Sequence, residues 1–139
     1  MTALTITTDR TRFLRLALGL DAVVTGVNGL GYLAGAALLS DLLGPDVAPL
    51  RGIGAFLLVY ALGVGLLAAR EAVNPAATMT VIALNTVWAI GSILAVVTGV
   101  IEFTTIGALW AVAQAMVVGL FAAVQLVGLR RLRSQHSSQ

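Results

Sequence analysis

Four long apolar stretches, separated by short polar or turn-forming breaks, dominate the pattern of the chain. Each is close to the ~20 residues that an α-helix needs to cross the hydrocarbon core of a bilayer. The pattern predicts an all-α fold in one domain over residues 1–139, a four-transmembrane-helix antiparallel bundle. The predicted helices run over about residues 12–39, 51–70, 78–101 and 105–129.

The breaks between these stretches contain residues that end helices. Gly44-Pro45-Asp46 lies between the first two helices, and Asn74-Pro75 lies between the second and third. Proline is favoured in the first turn of a helix, so Pro75 is expected near the start of the third. Residues 102–104 form the short turn before the fourth.

Composition agrees with a chain that lipid surrounds. Its hydrophobic fraction is 59% and its charged fraction 10%, with a mean hydropathy of +1.01. An average soluble domain is about a quarter charged, so these side chains could not cover a water-facing surface. The predicted partner of this surface is the lipid bilayer of the cell (cytoplasmic) membrane.

The distribution of arginine predicts the orientation. Seven of the eight basic residues lie before the first helix, after the fourth, or in the loop between the second and third; only Arg51 lies on the other side. Because basic residues are retained in the cytoplasm, both termini are predicted to be cytoplasmic. No basic stripe or aromatic platform accompanies these arginines, so nucleic acid is not an expected partner.

The sequence lacks the residues that several kinds of chemistry require. Without cysteine the chain has no disulfide, thiolate metal site or cysteine nucleophile. The single histidine, His136, lies in the polar tail, so no metal site is predicted. The sequence identifies no cofactor.

A possible internal repeat relates the two halves of the chain. The third helix aligns on the first with Asn85 matching Asp21, and residues 106–108 (Ile-Gly-Ala) match residues 53–55. The match of the fourth helix to the second needs a one-residue shift within the helix, and apolar helices also resemble one another by composition. A 2+2 duplication and a chance likeness are therefore both left open. A true repeat would place the first helix opposite the third, and the second opposite the fourth.

Polar side chains within the predicted spans are the candidates for function, because polarity is costly in hydrocarbon. On the first helix they recur at i, i+4, i+7 and i+11, which is one helical face: Asp21, Thr25, Asn28 and Tyr32. The other helices contribute Tyr60, then Asn85, Trp88 and Ser92, then Gln114 and Gln125.

These side chains are expected at two depths, counted at 1.5 Å per residue. The level about 10 Å from the cytoplasmic edge holds Asp21 and Asn85, with Gln125 somewhat shallower. The level about 20 Å in holds Asn28, Ser92 and Gln114, with Tyr60 between the two levels. Such amides and hydroxyls either hold helices together or bind a ligand.

Asp21 differs because it is the only ionisable side chain far from a helix end. We expect a neutral or proton-exchanging carboxyl hydrogen-bonded to Asn85. Its role is either structural or functional, as proton relay, acid catalyst or ligand anchor.

Pairs of small residues four apart favour close helix packing. Gly31 and Gly35 form a GxxxG pair, and Ala61 with Gly65 forms another pair of small residues. In a four-helix chain, packing within the bundle is favoured over dimerisation.

Several segments resemble short four-helix integral membrane proteins predicted in high-GC actinobacteria. They are LGLDAVVTGVNGL at 18–30, LLGP at 42–45, Leu50-Arg51 and NTVW at 85–88. The resemblance covers most of the chain and implies no established activity. The layout is also loosely similar to the DoxX-like superfamily of four-helix membrane proteins, in architecture only.

Three functions remain open. In the first hypothesis the bundle binds a small lipophilic molecule or another membrane protein. The binding residues would be Asn28, Tyr32, Tyr60, Asn85, Trp88, Ser92, Gln114 and Gln125. Alternatively, it is a membrane enzyme in which Asp21 is the catalytic acid or base. In the third hypothesis the chain is a subunit of an oligomeric transporter or channel.

Overall fold

The computed structural model describes residues 2–137, with side chains for residues 11–132. This part of the chain is all-α, and its helices are α1 (Thr2–Ala34), α2 (Ala36–Leu43), α3 (Val47–Ala69), α4 (Pro75–Thr98) and α5 (Thr105–Ser137). Four of them, α1, α3, α4 and α5, are long and apolar enough to cross a membrane. The predicted all-α bundle with four spans is confirmed, and the chain is a multi-pass membrane protein.

The first predicted helix is divided at Gly35. The backbone at Gly35 leaves helical geometry at φ −106° and ψ 18°, and α2 continues to Leu43, beyond the predicted end. Hydrogen bonds from Gly35 N to Gly31 O (2.8 Å) and from Leu39 N to Gly35 O (2.9 Å) span the break. The interruption is therefore a bend rather than a loop, at a residue type that tolerates irregular backbone.

Caps define the other connections. The Asn74 side chain accepts hydrogen bonds from the N–H groups of Ala76 (3.0 Å) and Ala77 (3.1 Å), and Pro75 is the first residue of α4, as predicted. At the opposite end of the bundle, the Thr104 hydroxyl accepts a hydrogen bond from Gly107 N at 3.0 Å. The backbone N–H of Thr104 donates to Leu43 O, also at 3.0 Å. Thr104 thus joins the end of α2 to the start of α5.

The helices form a ring in which α1 lies between α3 and α5, and α4 packs mainly against α5. The contact between α3 and α4 is the sparsest among the packed pairs. Across the centre α1 faces α4, and α3 faces α5. This arrangement agrees with the one expected for a 2+2 repeat, whereas duplication itself stays a prediction.

The seam between α1 and α3 depends on small residues. A Cβ atom on Gly29 would lie 2.9 Å from Gly54 O, and one on Gly54 would lie 2.8 Å from Gly29 O. Ala61 packs opposite Gly26 in the same seam. The predicted role of Gly31 is wrong, since open space surrounds it.

Packing differs between the two halves of the bundle. The terminal half, which contains the chain ends and the α3–α4 loop, has a continuous apolar core: Leu14, Leu18, Val64, Leu67, Val73, Val81, Ile82, Ala122, Leu129 and Leu132. The α2 half, which contains α2 and the α4–α5 turn, has a smaller core formed mainly by α1, α2 and α3. No residue of α4 beyond Asn85 is buried. The α2 half is therefore the loosely filled end of the molecule.

Candidate functional site

A buried polar cluster lies where the two halves meet, and its centre is the carboxyl group of Asp21. Oδ2 accepts hydrogen bonds from Asn85 Nδ2 (2.8 Å) and Gln125 Nε2 (2.8 Å). Oδ1 accepts one from Thr25 Oγ1 (3.0 Å). The expected contact between Asp21 and Asn85 is confirmed, and Gln125 joins it at the same level.

Asn85 links this carboxyl group to the remaining helices. Its Nδ2 also donates to Gln125 Oε1 (3.1 Å), and its Oδ1 accepts from the hydroxyl of Tyr60 (2.9 Å). The Tyr60 hydroxyl also lies 3.2 Å from Val81 O. We call Asp21, Thr25, Tyr60, Asn85 and Gln125 the carboxyl cluster; it ties together all four long helices.

The described partners of the Asp21 carboxyl are neutral donors. Arg15, one and a half turns away on α1, points elsewhere: its Nε donates to Ala68 O at 2.8 Å, near the end of α3. Positive groups are favoured there, because the last carbonyls of a helix are unpaired and form the negative end of its dipole. The cluster therefore satisfies Asp21 by hydrogen bonding rather than by an ion pair.

A central cavity of about 1090 Å³ fills the α2 half, directly above the carboxyl cluster. Its volume slightly exceeds the ~300–1,000 Å³ that is usual for ligand pockets. Each of the four long helices contributes one inward-facing row of side chains to its lining, and most of these side chains are aliphatic or aromatic. Its polar lining side chains within the helices are Thr25, Asn28, Tyr32, Tyr60, Asn85, Trp88, Ser92, Trp110 and Gln114.

Asp21 and Gln125 do not line the cavity. Their side chains are 2% and 0% exposed, and the lining at this level comes from Thr25, Tyr60 and Asn85. Seven of the eight predicted ligand-binding residues thus share one cavity, and Gln125 lies in the layer beneath it. In this conformation a molecule in the cavity meets the partners of Asp21 before it meets the carboxyl group. The catalytic role of Asp21 stays a prediction.

Two amide side chains face the cavity without a partner among the described residues. Gln114 Nε2 is buried and makes no hydrogen bond. Asn28, on α1, lines the same space and its amide has no partner among residues 11–132. Unsatisfied amides in apolar surroundings are unfavourable, and a buried donor without a partner costs about 1–3 kcal/mol. These two side chains are unsatisfied amides that a bound molecule could meet.

Ser92 and Tyr32, two other polar lining residues, are satisfied within the protein. Ser92 Oγ donates to Trp88 O (2.7 Å) on its own helix, and the hydroxyl of Tyr32 accepts from Trp110 Nε1 (2.8 Å). Ser92 therefore shares the cavity with Asn28 and Gln114 without bonding to another helix.

An aromatic stack spans the sparse contact between α3 and α4. The ring of Phe56 stacks on Tyr60 (centroids 6.0 Å apart, planes at 22°) and on Trp88 (6.0 Å, 8°). Both separations are within the usual range for aromatic pairs. Phe56 was not among the predicted site residues, although it lies one helical turn from Tyr60 and could have been found on that inward face.

Titratable side chains of the described residues form no group of three that could hold a metal ion. No protein family matches the chain, and neither a curated protein nor a solved structure shows significant similarity to it.

Proposed function

We propose that this multi-pass membrane protein holds a small lipophilic molecule in the central cavity of its α2 half. The observation that supports this most directly is the cavity itself: it is large, mostly apolar, and bordered by a few polar groups. The cavity is partly open to the outside, and the protein's own side chains leave it unfilled, in contrast to the close packing usual inside a bundle.

The contrast between the two halves supports the same proposal. The terminal half is filled by its own side chains, whereas the outer residues of α4 find no buried place in the α2 half. An occupant of the cavity would supply the packing that α4 lacks there. It would reach the cavity from the bilayer through the gap between α3 and α4, where the Phe56–Trp88 stack is the main bridge.

The proposal includes an orientation. With both termini in the cytoplasm, as the arginine distribution favours, the cavity lies in the half of the membrane away from the cytoplasm. The occupant would then be drawn from the outer leaflet of the cell membrane.

The experiment is the mass-spectrometric identification of molecules that stay bound to the purified protein. Ala111 lines the cavity, and Ala111→Trp would fill part of it; Ala123 faces away from it on the same helix, so Ala123→Trp is the matched control. The wild type and Ala123→Trp are expected to retain a lipophilic species that Ala111→Trp loses. The proposal fails if the wild type retains nothing, or if all three retain the same species in equal amount.

A further inference from the structure

We infer that the occupant, if the proposed function holds, is an uncharged amphiphile whose hydroxyl or carbonyl head meets Asn28 and Gln114. The first observation is the pair of unpartnered amides. A side-chain amide both donates and accepts hydrogen bonds, and a hydroxyl or carbonyl group can complete it without introducing a charge. Gln114 Nε2 is buried and lacks an acceptor, which specifically favours an oxygen atom in the ligand.

The charge distribution around the cavity is the second observation. The residues that line it include no arginine, lysine or histidine, and its only charged lining residues are Asp46 and Glu102 in the connecting segments. An anionic head such as a phosphate or carboxylate would be desolvated without a cation to compensate it. The two acidic residues would also repel it on its way in.

A cationic head is disfavoured for a different reason. Asp21 is the one acidic side chain buried near the cavity, and Thr25, Asn85 and Gln125 already occupy its oxygens. A cation would have to break these hydrogen bonds to reach it. Asp46 and Glu102 would attract a cation, but they lie in the connecting segments, away from the two amides. Neutral polar groups therefore match the surroundings of Asn28 and Gln114 better than either charge.

The positions of the two amides leave room for the rest of the molecule. Asn28 lies seven residues from Asp21 on α1, about 10 Å away along the helix, and Gln114 lies eleven residues, about 16 Å, from Gln125 on α5. The two amides thus differ by about 6 Å in height, a span that a head with more than one oxygen can bridge. Aliphatic and aromatic side chains also line the cavity, including Ile53, Leu57 and Phe121. An apolar chain attached to the head fits this lining.

The test compares three probes with the same or similar hydrocarbon chain in binding to the detergent-purified full chain. Monoolein has an uncharged glycerol head, oleoyl lysophosphatidic acid has the same chain with a phosphate, and 1-octadecene has no head. Monoolein is expected to bind at least about tenfold more tightly than either, since one uncompensated polar or charged group is worth that factor or more.

Substitutions locate the head. Asn28→Leu and Gln114→Leu are each expected to weaken monoolein binding about three- to tenfold, which is the worth of one hydrogen bond, and to leave octadecene binding within about twofold. Thr86→Val is the matched control, because Thr86 lies on α4 outside the cavity lining and its hydroxyl is already bonded to Ile82 O. Circular dichroism and a monodisperse elution profile establish that each variant is folded.

The outcomes separate this inference from the proposed function. If monoolein and lysophosphatidic acid or octadecene bind equally, or if neither leucine substitution weakens monoolein binding, the uncharged-head inference is wrong and ligand binding stands. If a folded wild type binds none of the probes and retains no lipophilic molecule on purification, the proposed function fails and this inference fails with it.

Discussion

At the scale of single residues, Asp21 illustrates how a carboxyl group is accommodated within a membrane-spanning bundle. Its partners come from three helices: Thr25 on its own helix, Asn85 64 residues away and Gln125 104 residues away. Each donor is a neutral side chain that would itself be costly to bury alone. The cluster therefore satisfies several polar groups at once, and removing its central acceptor takes one hydrogen bond from each of the three donors.

The first prediction contrasts two substitutions of Asp21. Asp21→Asn keeps one oxygen that accepts from Asn85 and Gln125, and its new amide N–H₂ group can donate to the hydroxyl of Thr25. Because the hydrogen bonds are largely kept, the free energy of unfolding should fall by less than about 1 kcal/mol. Asp21→Leu removes both acceptor oxygens and should cost about 1–3 kcal/mol. Unfolding in mixed micelles titrated with a denaturing detergent measures both.

The same pair of variants tests the enzyme hypothesis. A folded Asp21→Asn protein that has lost an activity of the wild type would favour acid–base chemistry at Asp21. Equal destabilisation by asparagine and leucine would contradict the hydrogen-bonding account of the cluster.

At the scale of the elements, the seam between α1 and α3 is the most extensive helix contact of the bundle, and two glycines allow its close approach. Gly29 and Gly54 face each other, so that each backbone carbonyl occupies the place of the other residue's side chain. Close approach of this kind is a common source of helix association in lipid, where no hydrophobic effect drives helices together. The seam also positions the α1 and α3 stripes that border the cavity.

The second prediction is that Gly54→Ala destabilises the bundle by about 1–3 kcal/mol, because the new Cβ would lie 2.8 Å from Gly29 O and the helices would have to separate. Gly63→Ala, on the same helix with open space around it, is the matched control. Alanine is the better helix former, so the control should be neutral or more stable than the wild type. The detergent midpoint of unfolding distinguishes the two, and equal midpoints would contradict the seam.

At the scale of the whole molecule, the four spans, the filled terminal half and the cavity define a molecule with two different ends. The loops follow this division. Arg70 and Glu71 lie in the α3–α4 loop on the terminal half, and Glu102 lies in the α4–α5 turn on the α2 half. The orientation of the ends in the membrane decides which leaflet supplies the cavity.

The third prediction concerns that orientation. The chain has no cysteine, so a single cysteine can be introduced without a background. Glu102→Cys, at an exposed turn, should react with a membrane-impermeant maleimide on intact cells, whereas the equally exposed Glu71→Cys should react only after the membrane is opened. Labelling in the reverse order would place the termini outside the cytoplasm and overturn the orientation.

Local physical chemistry explains what could be predicted from the sequence alone. Hydrophobicity and length determine the four spans, because lipid-exposed backbone must satisfy its hydrogen bonds within a helix. Helical periodicity determines which polar residues share a face, and the rise per residue determines their depth; together these predicted that Asp21 and Asn85 would meet.

Only the tertiary structure decided how those faces are used. Periodicity places Asp21 and Asn28 on the same stripe, yet the first is sealed beneath the cavity and the second lines it without a partner, because the neighbouring helices converge at one level and separate at the other. The same holds for glycine: Gly29 lies in the α1–α3 seam and Gly31 lies in open space, although both are equally small. Which side of a helix meets a neighbour, and where the bundle opens, depend on contacts between residues far apart in the chain, and local pattern does not contain them.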